Sequence, residues 1–287
     1  MIGKKYFQIF FHKSKNNMTN IQKAIQLFVS KTSYTEKDIL KTKEIHKGYT
    51  NLSFVFYTSD KKRFQIRLGQ NNEIVNRNNE LNVIDLLPYK YYLYIGSNGD
   101  AIKEWIYGYN PRFIFNKKRN LKLLCNEIKM FHNIEYKNIN ILEHDYFEYL
   151  NDSIKNKYPD FYNEYIEIIN EFKNEKKVLS HNDINPLNML YSTQLKRIIL
   201  IDFEWARINN EYFDVANFFR ETNLNIKWLK FLANEMNFEF DKLKRFVFAC
   251  TFFAYQWTFC VDETKKLLKY RKRVFKKVNK FYKQIKK

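Results

Sequence analysis

Three polar residues in the second half of the chain have the types and the spacing that phosphoryl transfer requires. Asp183 is followed five residues later by Asn188, and Asp202 directly follows the short apolar run 197–201. Phosphoryl transfer needs a group that takes or orients the proton of the attacking alcohol, and hard oxygen ligands for a Mg²⁺ ion that bridges the phosphates. Asp183 can accept the proton, and Asn188 and Asp202 can coordinate the metal. The alternative is that these side chains only make turn hydrogen bonds and cap the next segment.

The elements before Gly108 predict a small lobe rich in β-structure. Helical spacing begins at Ile21, and a glycine turn at Gly48 is expected to end that helix. Two pairs of segments rich in β-branched and aromatic residues flank polar turns, which is typical of hairpins. These segments are 52–58 with 63–68, and 91–95 with 101–106. Between the two hairpins, the range 73–87 has helical spacing and stops at Pro88.

After Gly108 the sequence predicts a larger lobe made mostly of helices. The helical segments are 117–134, 159–174, 226–260 and 262–284. The exception is 178–202, where one short strand precedes the polar loop with Asp183 and another ends at Asp202. We therefore expect two domains, 1–108 and 109–287, with the Asp183 loop in the second.

The composition limits the compartment and the partners. The chain has 287 residues and a net charge of +19, but twelve basic residues and no acidic one lie in 264–287, which leaves only +7 elsewhere. A terminal amphipathic helix with its lysines in water accounts for this excess, and it leaves a weak membrane-surface contact open. Three cysteines without metal-site spacing and the lack of a signal-peptide pattern predict a cytoplasmic location. The longest apolar run, 246–261, is too short to span a membrane and predicts a buried helix.

Two further motifs extend the pattern and carry a family resemblance. The polar loop begins with His181-Asn182-Asp183, the range 201–206 reads Ile-Asp-Phe-Glu-Trp-Ala, and 213–221 reads Phe-Asp-Val-Ala-Asn-Phe-Phe-Arg-Glu. Together these motifs resemble the choline/ethanolamine kinase family, especially its bacterial members, and the resemblance covers roughly residues 40–283. It implies an α+β, two-lobed protein kinase-like fold. The N-lobe would be a small antiparallel β-sheet with one main helix, and the C-lobe would be larger and mostly helical.

The resemblance also implies the catalytic and nucleotide-binding residues. Asp183 is implied as the catalytic base, and Asn188 and Asp202 as the ligands of Mg²⁺. His181 would orient the catalytic loop, and Asp214 would brace it. ATP is implied as the phosphoryl donor, held by a phosphate loop, a strand arginine with its glutamate partner, and a hinge. The matching residues are Gly48, Thr50 and Asn51, then Arg67 and Glu80, then Glu104 and Ile106.

The acceptor pocket is predicted from what a small cationic alcohol needs. A quaternary ammonium donates no hydrogen bonds, so its site requires aromatic faces and a carboxylate. Trp205 directly follows the 202–204 motif, and Glu221 and Trp257 match the pocket positions of the family. Tyr255 is a further candidate for the pocket, although a core position suits it and Phe253 better on so aromatic a helix.

Three functions remain open at this point. The first is a Mg-ATP-dependent choline or ethanolamine kinase, as a monomer or homodimer. The second is a kinase of the same fold for an aminoglycoside, a sugar or another small alcohol, and polyamine sugars call for several acidic side chains in the pocket. The third is a non-enzymatic binder of nucleic acid or anionic membrane, which has no need of Asp183, Asn188 and Asp202. The residues favour the first function, with no nucleic-acid partner and no transmembrane segment.

Overall fold

The computed structural model describes residues 18–45, 51–69, 75–112 and 114–286. Within these ranges the chain forms two lobes. The predicted phosphate-loop residues Gly48 and Thr50 lie outside the described residues, whereas Asn51 begins a strand.

The first lobe is built on a five-stranded antiparallel sheet. Its strands are β1 (Ile39–Ile45), β2 (Asn51–Thr58), β3 (Arg63–Gly69), β4 (Tyr92–Ile95) and β5 (Ala101–Glu104), in the order β1-β2-β3-β5-β4. Its helices are α1 (Asn20–Lys31) and α2 (Arg77–Leu86). Both predicted hairpins are confirmed, because β2 pairs with β3 and β4 pairs with β5 in antiparallel register. Two helices of similar length accompany the sheet, where one main helix was expected.

Alternation along the strands gives this sheet an apolar face and a polar face. Phe64 and Ile102 belong to a core that includes Phe28 of α1. Because neighbouring side chains of a strand point to opposite faces, Arg67 on β3 and Lys103 on β5 lie on the other face. Both are nonetheless buried, and Arg67 meets Glu80 of α2 on that face. The sheet therefore presents two cations toward the interior of the molecule.

The first helix is shorter than its spacing predicts. The prediction of one helix from Ile21 to a glycine turn is wrong, because α1 ends at Lys31 and residues 39–45 form the edge strand β1. The Thr32 hydroxyl donates to the Phe28 carbonyl at 2.7 Å, and the Asp38 carboxylate accepts the N–H of Thr35 at 2.7 Å. Short polar side chains that bond nearby backbone groups end the helix and form the turn into β1.

The two lobes are joined by a short connection after β5. The backbones of Tyr109 and Tyr191 exchange two hydrogen bonds, of 3.1 and 2.9 Å, across the start of the second lobe. A Cβ atom on Gly108 would lie 2.8 Å from the carbonyl oxygen of Tyr191, so this close approach requires glycine. The division of the chain into domains at residue 108 stays a prediction.

The second lobe is mostly helical, with two small two-stranded sheets. Its helices are α3 (Lys118–His132), α4 (Asp152–Lys157), α5 (Pro159–Glu171), α6 (Phe213–Glu221), α7 (Ile226–Met236), α8 (Phe240–Trp257) and α9 (Lys265–Ile285). Its strands are β6 (Lys177–Ser180), β7 (Met189–Ser192), β8 (Arg197–Leu200) and β9 (Arg207–Asn210), and the pairs are β6 with β9 and β7 with β8. The single helix predicted over 226–260 is wrong. Asn237 adopts a left-handed conformation with φ 59° and separates α7 from α8.

The long helices α8 and α9 pack against each other in the large core. The predicted buried helix is confirmed, because most of α8 is buried. The predicted terminal amphipathic helix is confirmed as well, since Val274, Val278 and Phe281 of α9 belong to the same core and most of its lysines are exposed. Within the described ranges, no helix is long and apolar enough to cross a membrane.

Candidate active site

The loop between β6 and β7 holds Asp183 and Asn188 side by side. Asn188 Nδ2 donates to Asp183 Oδ2 at 2.5 Å and to the Asp183 carbonyl oxygen at 3.1 Å. Asn185 Nδ2 donates to the other carboxylate oxygen, Asp183 Oδ1, at 3.1 Å. The turn hydrogen bonds of the alternative interpretation are therefore present, and they fix the orientation of a carboxylate that still has lone pairs to offer.

Asp214 on α6 anchors the start of this loop, as expected. Its carboxylate accepts the backbone N–H groups of His181 and Asn182, each at 2.9 Å, and a bond of 2.9 Å from His132 Nε2. Burial acts to raise the pKa of Asp214, but the hydrogen bond and charge of His132 hold that pKa below its ordinary value. The loop is thus held by an ionised, fully buried carboxylate.

His181 positions the loop through both of its ring nitrogens. The ring is fully buried, Nδ1 accepts the N–H of Asp183 at 3.3 Å, and Nε2 donates to the carbonyl of Ile201 at 3.1 Å. Burial lowers the pKa of His181, so the ring is neutral at pH 7. This arrangement agrees with an orienting role, because neither nitrogen faces a place where a substrate proton would be transferred.

The pairing of β7 with β8 brings Asn188 next to Asp202. Met189 lies opposite Leu200, and the Ile201 N–H donates to the Asn188 carbonyl at 3.0 Å. Because Asn188 Nδ2 donates to Asp183, the oxygen of the Asn188 amide points away from that carboxylate. Among the described residues, no group of three or more His, Cys, Asp or Glu side chains has metal-binding geometry. One amide oxygen and one carboxylate nevertheless suit Mg²⁺, which takes few protein ligands and completes its shell with water and phosphate.

Arg67 is bound to Glu80 by a two-pronged ion pair on the inner face of the sheet. Arg67 Nη1 and Nη2 donate to the two Glu80 oxygens at 2.7 and 2.9 Å, and Nε donates to the Gly99 carbonyl at 2.8 Å. Burial opposes ionisation of Glu80, but the charges of Arg67 and Arg77 lower its pKa below the ordinary value. The pair expected from the resemblance therefore exists in the fold.

Arg77 extends this pair into a network that links the two lobes. Arg77 Nη1 donates to Glu80 Oε2 at 2.9 Å and to Glu204 Oε2 at 3.1 Å, and Nη2 donates to Asn51 Oδ1 at 2.7 Å. Asn51 Nδ2 in turn donates to Glu204 at 3.0 Å. Glu204 stands two residues after Asp202, so the network connects the first strand after the predicted phosphate loop to the metal-binding turn.

Lys103 is a buried cation in the cleft that the sequence analysis missed. It is 8% exposed, and its ammonium lies 5.0 Å from the centre of the Tyr92 ring. Burial and the nearby charge of Arg67 lower the pKa of Lys103 to about 8. The strand alternation that places it on the Arg67 face could have identified it. Lys103 stands directly before the predicted hinge residues Glu104 and Ile106 in the chain. The expected contact of these two residues with adenine stays a prediction.

Asp183 shares its surroundings with a second carboxylate, Glu221 at the end of α6. Burial and then the negative charge of Glu221 raise the pKa of Asp183 to about 7. The Tyr270 hydroxyl on α9 donates to Glu221 Oε1 at 2.8 Å, and its ring meets the half-buried Trp257 edge-to-face, with centroids 6.4 Å apart. The structure thus brings two aromatic rings together with Glu221, and the charge of that carboxylate acts on Asp183. Tyr270 was missed because the sequence shows it only as one apolar position of a docking helix.

The two remaining predicted pocket residues, Trp205 and Tyr255, lie in different surroundings. Trp205 is half-buried beside the catalytic loop, and its carbonyl accepts Asn182 Nδ2 at 3.0 Å. Tyr255 instead lies within the aromatic core, where its ring centroid is 5.0 Å from that of Phe275 and 5.2 Å from that of Phe259. These contacts do not include Glu221, Tyr270 or Trp257, and core packing explains the burial of Tyr255.

Comparisons with known proteins bear on the family and the fold of the chain. The sequence model of the choline/ethanolamine kinase family matches residues 42–247. The MG356 homolog of Mycoplasma pneumoniae is 32% identical over 91% of this chain and 93% of that protein. Two solved structures share the fold at low identity. An ethanolamine kinase of Plasmodium vivax has a TM-score of 0.67 at 18% identity, covering 90% of this chain and 86% of that one. LicA, a choline kinase of Streptococcus pneumoniae, has in its AMP complex a TM-score of 0.68 at 17% identity, covering 92% of this chain and 100% of that one. This chain belongs to the choline/ethanolamine kinase family and is a phosphotransferase with the protein kinase-like fold.

Proposed function

We propose that the protein transfers the γ-phosphoryl group of ATP to the hydroxyl of choline or ethanolamine. The observation that carries this proposal is that Asp183 accepts a bond from Asn188, which adjoins the Asp202 turn, and is acted on by the charge of Glu221. We take Asn188 and Asp202 as the metal site, and Glu221 with Tyr270 and Trp257 as the second, the acceptor site. A cationic alcohol bound in the second site would hold its hydroxyl near the Asp183 carboxylate.

Asp183 would accept the proton of the acceptor hydroxyl as the oxygen forms its bond to the γ-phosphorus and the bond from that phosphorus to the leaving ADP breaks. Asn185 and Asn188 hold the carboxylate in place for this step, and their N–H bonds leave its remaining lone pairs to the hydroxyl. Asn188 Oδ1 and the Asp202 carboxylate would hold Mg²⁺, which neutralises phosphate charge when bound. Arg67 keeps N–H groups beyond those used on Glu80 and Gly99, and these would bind phosphate oxygens together with Lys103.

The proposed acceptor site, which consists of Glu221, Tyr270 and Trp257, suits a small cation better than a polyamine sugar. Each cation-π contact with Trp257 or Tyr270 would contribute about 0.5–2 kcal/mol, depending on how far the cation is desolvated. Glu221 is one carboxylate, and Arg220 beside it already offsets its charge. An aminoglycoside with several ammonium groups would require more acidic side chains than Asp183 and Glu221.

A coupled ADP-release screen tests the proposal. Purified protein with Mg-ATP is offered choline, ethanolamine, an aminoglycoside and a neutral sugar in parallel. We expect turnover with choline or ethanolamine that the Asp183→Ala variant lacks, with the same melting temperature for both proteins within a few degrees. Turnover with the aminoglycoside or the sugar alone would assign the enzyme to another small alcohol, and turnover with none of the four would contradict the proposal.

A further inference from the structure

Arg273 on α9 contacts both groups that would recognise the cation of the acceptor. Its guanidinium carbon lies 5.0 Å from the centre of the Tyr270 ring, and its Nη2 lies 3.4 Å from Glu221 Oε2. An aromatic face and a carboxylate are the features that a site for a quaternary ammonium requires. A cation of the chain itself therefore makes the contacts that a bound cation would make.

The other donors to Glu221 are buried and held in place by the fold. Arg220 and Tyr270 both contact Oε1 at 2.8 Å, and Arg220 Nη1 also donates to the Tyr270 hydroxyl at 2.7 Å. Lys277 Nζ donates to the carbonyl of Thr222 at 2.8 Å and so bonds to the backbone at the end of α6. Arg220 and Tyr270 thus occupy Oε1 of Glu221, and Lys277 holds the backbone beside it.

Arg273 differs from these groups because it is free to leave. Its side chain is 58% exposed, and its distance to Glu221 is long for a charge-assisted hydrogen bond. A long, exposed arginine side chain can swing into water without opening the core. Its contact with Glu221 Oε2 can therefore be exchanged for another cation at little expense in packing.

We infer that Arg273 occupies the cation subsite of the acceptor in the free enzyme, and that the acceptor binds by displacing it. This inference rests on the proposed function, because it assigns the Glu221 and Tyr270 corner to the acceptor. Arg273 is thus a determinant of acceptor affinity and class. An acceptor with an ammonium group can replace the contacts of Arg273 with Glu221 and Tyr270, whereas a neutral alcohol cannot.

The test compares steady-state constants of the wild type, Arg273→Gln and a matched control, Lys276→Gln. Lys276 is an exposed cation one turn further along α9, so its substitution removes the same charge from the same helix. We expect Arg273→Gln to lower the KM for choline or ethanolamine about three- to tenfold, the range that one exposed ion pair and one cation-π contact allow. The KM for ATP and kcat should stay within about twofold, and Lys276→Gln should resemble the wild type.

Two results would overturn the inference. The first is an unchanged or higher acceptor KM in Arg273→Gln. The second is an equal decrease of that KM in Lys276→Gln, because it would indicate a general effect of helix charge. Arg273→Lys provides a second variant that keeps the charge but lacks the planar guanidinium, and its KM should fall between those of the wild type and Arg273→Gln.

A binding measurement separates this inference from the proposed function. Tetramethylammonium has a quaternary cation but no hydroxyl, and its binding can be followed by tryptophan fluorescence, with NaCl of equal ionic strength as the control. Lack of turnover with any amine alcohol would contradict the proposed function alone. Tighter binding of tetramethylammonium by Arg273→Gln than by the wild type would still support displacement of Arg273, and equal binding or none would refute it.

Discussion

Replacing Glu80 by glutamine is expected to lower the free energy of unfolding substantially, because Glu80 is the centre of the buried network. Its side chain is fully buried, and it accepts hydrogen bonds from Arg67 at 2.7 and 2.9 Å and from Arg77 at 2.9 Å. Glutamine keeps the shape but removes the charge, so Arg67 would lose its carboxylate partner and Arg77 would keep Glu204 as its own. Breaking a buried ion pair by removing one partner costs about 3–5 kcal/mol. At roughly 2–4 °C for each kcal/mol, the melting temperature should fall by on the order of 10 °C.

An exposed pair with nearly the same geometry provides the control. Lys177 Nζ lies 2.9 Å from Glu143 Oε2, but the two side chains are 49% and 63% exposed. Exposed pairs of this kind contribute about 0–1 kcal/mol, so Glu143→Gln should change stability little. Urea unfolding of both variants, followed by tryptophan fluorescence, compares the two substitutions at matched chemistry and different burial.

The effect of Glu80→Gln should also depend on pH. Since the pKa of Glu80 in the folded chain lies below its ordinary value of 4.5, its stabilisation is present above pH 4.5 and is lost as the pH falls through the folded-state pKa. The difference between Glu80→Gln and the wild type should therefore be full at pH 7 and shrink in acid. Stability of Glu80→Gln within about 1 kcal/mol of Glu143→Gln at pH 7 would refute the reasoning that burial makes this network strong.

Three further substitutions test the loop, the nucleotide site and the acceptor site. Asp214→Asn should lower kcat by about 100-fold with little change in the KM for ATP, because an amide cannot accept all three donors and the loop shifts. Lys103→Met should weaken ADP binding about tenfold in a calorimetric titration, through loss of one charge-assisted contact, and leave adenosine binding unchanged. Trp257→Ala should raise the acceptor KM more than the ATP KM in steady-state assays, since it removes one ring of the cation corner.

Each of these three has an outcome that would contradict it. Full activity of Asp214→Asn would show that the loop holds its position without that carboxylate. Equal losses of ADP and adenosine affinity in Lys103→Met would indicate packing of the cleft and not phosphate binding. Equal changes of both KM values in Trp257→Ala would assign the ring to the core.

Much of the fold could be predicted because local patterns determine it. The hairpin of β2 and β3 and the helices α3 and α9 each have a periodicity that shows one buried face. The edge strand β1 has no such pattern, and its Leu40 is 69% exposed. The helix α6 was not predicted, although Asp214, Asn217 and Arg220 recur at helical spacing. Eight of its nine residues are buried, so its polar side chains do not mark a face toward water.

The candidate site was predictable where its residues share one stretch of chain. Asp183 and Asn188 lie in a single loop, and the hairpin of β7 and β8 brings Asp202 to them, so spacing alone identifies the group. Tyr270 and Arg273 reach Glu221 only because α9 packs beside α6, which depends on the tertiary structure and leaves no mark in a short motif. Strand alternation indicates the face on which Lys103 lies, but its position beside Arg67 depends on the pairing of β5 with β3.

The role of Asp183 in phosphoryl transfer to an amine alcohol is tested most directly by ³¹P NMR of the reaction mixture. Wild-type protein with Mg-ATP and choline or ethanolamine should convert the γ-phosphate signal of ATP into the signal of a phosphomonoester of that alcohol. Asp183→Asn keeps the shape but cannot take the proton, so it should form this product about 100- to 10,000-fold more slowly. No phosphomonoester from the wild type with either alcohol, or its formation by Asp183→Asn at the wild-type rate, would contradict the account.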